Sequence, residues 1–141
     1  MEEVQEAPDV GYGEFLVNST STSVLFDLGA SHSFVSACFA LKNDLRTVLL
    51  PTPLWISTPG AVLKCSLKCP RVKIMIDRVE FQADLVVLRT EGLDIILGMD
   101  WLRNYHGNIS CRDKTVTLIN HIGIKVECHP QAPKAHPMVC S

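Results

Sequence analysis

The side chain with the most chemical promise in this sequence is Asp27, in the stretch Val24-Leu25-Phe26-Asp27-Leu28-Gly29-Ala30-Ser31-His32-Ser33-Phe34. An apolar β-run delivers one carboxylate into a tight turn of small residues, and a helix is expected just beyond. A carboxylate at the end of a buried strand is costly unless something hydrogen-bonds it, and small residues let backbone N–H groups approach it closely. Pattern alone leaves two readings open: a turn or cap residue, or a carboxylate held ready for proton transfer. Far downstream, Gly92-Leu93-Asp94-Ile95-Ile96-Leu97-Gly98-Met99-Asp100-Trp101-Leu102 runs apolar residues and a glycine into a second helix.

Two other chemistries are suggested by residue type. Ser31, His32 and Asp27 are the types of a hydrolytic triad, but adjacent Ser and His side chains are not expected to form the necessary hydrogen bond, and no G-x-S-x-G elbow is present. Cys65, Cys69, Cys111, Cys128 and His129 are possible metal ligands. Cys65 and Cys69 have a spacing some zinc sites use, yet no second close cysteine pair follows, so buried thiols are the expected role and no metal is called for.

The elements that must position these groups are mostly strands. Glu14 to Val17 and Ser23 to Phe26 flank the polar turn Asn18-Ser19-Thr20-Ser21 and predict a hairpin. Phe34, Val35, Cys38, Phe39 and Leu41 are spaced as one face of a short helix. Leu54 to Ser57 and Ala61 to Leu67 flank Thr58-Pro59-Gly60, a turn with an exposed tip, and Pro70 is expected to end the second of these strands. Arg71 to Ile76 and Val79 to Leu88 flank Asp77-Arg78. Leu93 to Leu97 is a short strand, Met99 to Tyr105 a helical turn or two, and Asn108 to Cys111, Thr115 to Ile119 and Ile122 to Cys128 complete a β-rich end. Trp101 is expected in the core.

Composition narrows the class further. With 141 residues, 47% hydrophobic and 20% charged, one folded domain is expected. Residues 1–12, acidic through Glu2, Glu3, Glu6 and Asp9, read as a linker; 13–128 as the domain; and 129–141, with Pro130, Pro133 and Pro137, as a second linker. A net charge of −2 argues against a nucleic-acid partner. The longest apolar run is only Ala37 to Leu41, so no membrane span is expected. Met1 to Glu6 has no basic and apolar leader, which points to an intracellular, cytoplasmic and reducing location.

The ordered set of Asp27-Leu28-Gly29-Ala30, Ile56-Ser57-Thr58-Pro59-Gly60, Ala83 to Leu88 and Ile96-Leu97-Gly98-Met99-Asp100-Trp101-Leu102 resembles the retropepsin family, in particular the protease domain of gypsy-type LTR retrotransposons. The resemblance spans residues 13 to about 128. It implies an all-β, closed barrel with one or two short helices, active as a homodimer, that hydrolyses polypeptide substrates and processes the retrotransposon polyprotein, in the cytoplasm or within virus-like particles. It implies no cofactor.

Residue by residue, the resemblance makes Asp27 the catalytic carboxylate, with Leu28, Gly29 and Ala30 forming its loop. Ser31 and His32 fall where the family lines the substrate cleft. Thr58, Pro59 and Gly60 fall in the flap, and Ile96, Leu97 and Gly98 in the strand and glycine packed beneath the loop. The reaction needs two carboxylates, one to take a proton from water and one to donate to the carbonyl oxygen, with one proton shared because both cannot ionise easily at close range. One chain has one such aspartate, so the second Asp27 comes from a symmetry mate. The family carries Ser or Thr where Leu28 stands, and its hydroxyl hydrogen-bonds across the dimer. The alternative is therefore a catalytically impaired dimerisation or peptide-binding domain.

Overall fold

The structure, a computed structural model, describes residues 9–58, 60–89, 92–110 and 112–130, without the side chains of Asp9, Val10, Tyr12 and Thr58. Pro59, Cys111, Cys140, residues 1–8 of the first expected linker and 131–141 of the second lie outside the described residues.

Ten strands and two short helices make up the described chain. β1 (Asp9–Val17) and β2 (Thr20–Asp27) form the first hairpin, with Asn18 and Ser19 at φ 50° and 67°. Two successive left-handed residues give the mirror-image turn whose twist matches that of the strands. β1 begins at Asp9, inside the stretch read as linker. β3 (Phe34–Ser36) and α1 (Ala37–Lys42) follow, then β4 (Val48–Thr58), β5 (Ala61–Ile76) and β6 (Val79–Leu88). β7 (Ile95–Leu97) leads into α2 (Met99–Asn104), and β8 (Asn108–Ser110), β9 (Thr115–Ile119) and β10 (Lys125–Cys128) end the fold.

Seven strands form one sheet in the order β1-β2-β7-β3-β6-β5-β4, and β1 also pairs with β5 through Leu16↔Met75 and Val17↔Ile74. β10-β9-β8 form a second sheet. Inward-facing Val24 and Phe26 of β2, Ile74 and Ile76 of β5, Phe81 and Leu85 of β6, and Ile95 and Leu97 of β7 share one core with Val116, Leu118 and Val126 of the second sheet. Trp101 and Tyr105 join that core, as Trp101 was expected to. Trp101 Nε1 and Tyr105 Oη both donate to the Gln82 carbonyl, at 3.1 and 2.9 Å, and Gln82 N–H donates back to Tyr105 Oη at 2.9 Å. Those bonds tie α2 to β6.

Three local expectations are corrected. Phe34 and Val35 are strand, not helix: they pair with Val86 and Val87 on one side and with Ile96 and Ile95 on the other. α1 starts only at Ala37, where Ser36 Oγ accepts Phe39 N–H, and Leu41 is 84% exposed rather than on a buried face. Pro70 does not end β5. The strand passes it by an irregularity between Cys69 and Val72, with Arg71 at φ 51° and its N–H donated to Asp84 Oδ1 at 2.8 Å. Ile122 belongs to a turn, because Asn120 Oδ1 accepts the N–H groups of Ile122 and Ile124 and so holds that segment off the sheet.

Candidate active site

The position of β7 dictates the site. It runs parallel to β2, with Val24↔Ile95, Leu25↔Ile96 and Phe26↔Leu97 in register, and antiparallel to β3. The chain leaving β2 at Asp27 must therefore cross the end of β7 before returning as β3. Gly98 sits at that crossing, and a Cβ there would lie 2.3 Å from the His32 carbonyl oxygen and 2.6 Å from that of Ala30. Only glycine admits so close an approach. Met99 N–H donates to the Ala30 carbonyl at 2.8 Å, which fixes the loop onto the start of α2.

Within the loop, Gly29 N–H donates to Asp27 Oδ1 at 2.8 Å and Ala30 N–H to the Asp27 carbonyl at 3.3 Å. Asp27 is half-buried, Leu28 and Gly29 are exposed, and Ala30 is half-buried. This orientation leaves one carboxylate at an accessible loop while backbone N–H holds its other face.

Sequence reasoning passed over three supporting residues. Ser33, 1% exposed, accepts Gly98 N–H at 2.9 Å and donates to Asp100 Oδ1 at 2.7 Å, an oxygen that also takes Trp101 N–H. Asp94 joins β2 to β3, its Oδ2 taking Ser23 N–H at 3.0 Å and its carbonyl taking Ser36 N–H at 2.8 Å. The signals were a serine closing the loop and acids flanking Ile95 to Gly98, but nothing local pairs residues so far apart in sequence.

Ala30 and Ile96 pack with Phe34, Leu54, Ile56 and Leu63, so the β4–β5 hairpin and the Asp27 loop share one apolar cluster. Thr58↔Ala61 is the last pair of that hairpin, and exposed Gly60 turns at φ +90°. Leu97 and Gly98 are buried beneath the loop and Ile96 is half-buried. Ser31 Oγ and His32 Nδ1 do hydrogen-bond, at 3.0 Å, contrary to the expectation for neighbours. That bond joins these two side chains alone, while the Asp27 carboxylate takes the Gly29 N–H.

The buried thiols are structural. Cys65, Cys69 and Cys128 are buried and Cys38 is exposed. Burial pushes Cys65 and Cys69 up, and burial together with the Asp77 and Glu127 carboxylates pushes Cys128 to about 12. Such groups are poor nucleophiles and poor metal ligands.

The retroviral aspartyl protease family matches residues 1–123. The chain belongs to that family. No curated protein sequence matches it. Among solved structures, the retroviral protease-like domain of Ddi1 from Leishmania major is similar at a TM-score of 0.65 and 15% identity, covering 94% of this chain and 99% of that one. EIAV protease, solved with the inhibitor HBY-793, gives a TM-score of 0.52 at 21% identity, covering 74% and 92%. At these identities the two structures speak for the fold. This retropepsin-like aspartic protease domain thus has its Asp27 loop, its Gly98 support and its β4–β5 hairpin assembled around one face.

Proposed function

We propose that this domain is an aspartic endopeptidase formed by two copies of the chain, with the two Asp27 carboxylates sharing one proton. One carboxylate takes a proton from water as the water oxygen attacks the peptide carbonyl. The other, protonated, donates to the carbonyl oxygen, and the tetrahedral adduct then collapses with a proton passing to the departing amine. The observation that carries the reading is the Asp27 loop itself, which offers a single carboxylate on a rigid support. Among the described side chains, Asp94 and Asp100, which flank the strand and glycine beneath the loop, are engaged with Ser23 N–H and with Ser33 and Trp101 N–H. A second carboxylate is best supplied by a second copy.

On this reading Ser31 and His32 line the cleft, Thr58, Pro59 and Gly60 form the flap that closes over a polypeptide, and Ile96, Leu97 and Gly98 hold the loop. The return of β1 onto β5 supports a closed barrel. The substrate we assign is the polyprotein of a gypsy-type retrotransposon, cut inside the cell, in the cytoplasm or in virus-like particles. Leu28 supports a second reading: a dimerisation or peptide-binding domain in which the reaction is impaired, because the hydroxyl that braces the family's catalytic pair is missing.

Cleavage of an unbiased peptide pool at mildly acidic pH, by the chain and by Asp27→Asn and Leu28→Ser, separates the two. Cutting lost only in Asp27→Asn establishes the protease. Cutting that appears only in Leu28→Ser establishes the impaired domain, and cutting unchanged in Asp27→Asn refutes both.

A further inference from the structure

We propose that the groove between α1 and strands β5 and β6 docks an amphipathic polypeptide segment of a partner protein, one that presents leucine-type side chains flanked by carboxylates. Two cavities of about 480 and 320 Å³ adjoin there, and Ala37, Leu67 and Val87 line both. One continues along β5 past Leu63 and Cys65, the other along α1 past Ala40, Leu41 and Leu45. Apolar side chains of α1, β5 and β6 thus run through the pair. No residue of the Asp27 loop lines either cavity, so the groove is separate from the candidate active site.

Leucines left in water forgo the gain that burial brings, and grouped ones mark a surface that another apolar surface covers. Here Leu41 is 84% and Leu67 38% exposed, and Leu49, the ladder partner of Leu67, is 75% exposed. The helix cannot turn Leu41 inward, because Ser36 Oγ takes Phe39 N–H at its start and Asn43 Nδ2 donates to the Phe39 carbonyl at its end. A groove fixed in this way suits the apolar face of an amphipathic segment. The rim sets the charge of the occupant. Lys64 and Arg89 line one cavity; Asp44 lines the other, with exposed Lys42 and Arg46 two residues to either side. Among the described residues, these cations outweigh Asp44 in a chain whose net charge is −2. Carboxylates on the partner complement them. A second copy fits less well, since a two-fold contact turns one basic rim against another.

Fluorescence anisotropy on the full 141-residue chain tests this, with Asp27→Asn present throughout so that the probe is not cut. The probe is a labelled helical peptide of about 14 residues, leucine at i, i+3, i+4 and i+7 and glutamate elsewhere; its controls carry lysine for glutamate or serine for leucine. Saturable binding of the glutamate peptide alone is expected. Leu67→Asp should abolish it, and Leu41→Ser and the pair Lys64→Glu with Arg89→Glu should each raise Kd about tenfold, with wild-type circular dichroism. Because Leu41 is so exposed, Leu41→Ser keeps the test decisive if Leu67→Asp fails to fold. No binding, equal binding of the lysine peptide, or binding that these substitutions leave unchanged would overturn the proposal. So would a Leu41→Ser chain whose sedimentation alone shows lost self-association, which would assign the groove to a second copy. Tighter peptide binding after removal of residues 1–8 would assign it to the chain's own acidic segment instead.

Discussion

Gly98→Ala adds one methyl group at the place where the Asp27 loop rests on the core. That methyl carbon would sit 2.3 Å from the His32 carbonyl oxygen and 2.6 Å from the Ala30 oxygen, while ordinary contact begins near 3.4 Å, so the loop must retreat by about 1 Å. Both obstacles are backbone atoms, and no rotamer change relieves them. Overpacking of this kind costs about 1–3 kcal/mol. Retreat of Ala30 also stretches the 2.8 Å bond from Met99 N–H, which contributes about 0.5–1.5 kcal/mol. The combined loss of about 1.5–4.5 kcal/mol is a large share of the roughly 5–15 kcal/mol that holds a domain folded. The loop that moves carries Asp27, and a misplacement near 1 Å costs about 100-fold in rate. Urea unfolding and peptide cleavage on the same preparation read both effects. A Gly98→Ala protein with the wild-type urea midpoint would refute the claim that Gly98 supports the loop, and one with wild-type cleavage would refute its link to the site.

Ser33→Ala leaves Gly98 N–H buried without its acceptor, and is expected to lower stability by about 1–3 kcal/mol in urea unfolding. Asp100→Asn keeps an acceptor oxygen for Ser33 and should cost less. Two restored hydroxyl bonds are worth about 1–3 kcal/mol, so Leu28→Ser should dimerise more tightly than Leu28→Ala by sedimentation, and equal affinities would remove the hydroxyl from the argument. Because Cys128 keeps its proton up to about 12 in the fold while the unfolded chain releases it near 9.0, the unfolded state binds fewer protons in that window. Stability is therefore intact below about pH 9 and falls as pH rises toward 12, with a shallower fall in Cys128→Ala. Alkylation at mildly alkaline pH should label exposed Cys38 well ahead of buried Cys65, Cys69 and Cys128, read by peptide mass mapping.

Much of this architecture is legible locally. The turns at Asn18-Ser19 and Asp77-Arg78 are announced by polar residues between alternating strands, and all four residues adopt positive φ. Asp27-Leu28-Gly29-Ala30 and Leu97-Gly98 stand out because small residues interrupt apolar runs. What the sequence hid is what depends on distant partners. Phe34 and Val35 fit a helical face as well as a strand, and only pairing with β6 and β7 decides between them. Pro70 would stop a regular strand, but Asp84 receives the Arg71 N–H and lets β5 continue. Ile122 reads as strand by composition, yet the Asn120 side chain captures its N–H. The Ser33–Asp100 bond and the grip of Tyr105 on Gln82 join common residue types whose spacing carries no local signal.

The central claim is that two copies each supply one Asp27, and subunit mixing tests it most directly. Wild-type chain is mixed with Asp27→Asn at constant total concentration, allowed to exchange subunits, and assayed for peptide cleavage. If the working unit holds both carboxylates, activity follows the square of the wild-type fraction, so an equal mixture retains about a quarter of the rate of an all-wild-type sample. Activity proportional to the wild-type fraction, about half in that mixture, would mean that each chain works alone and would contradict the account.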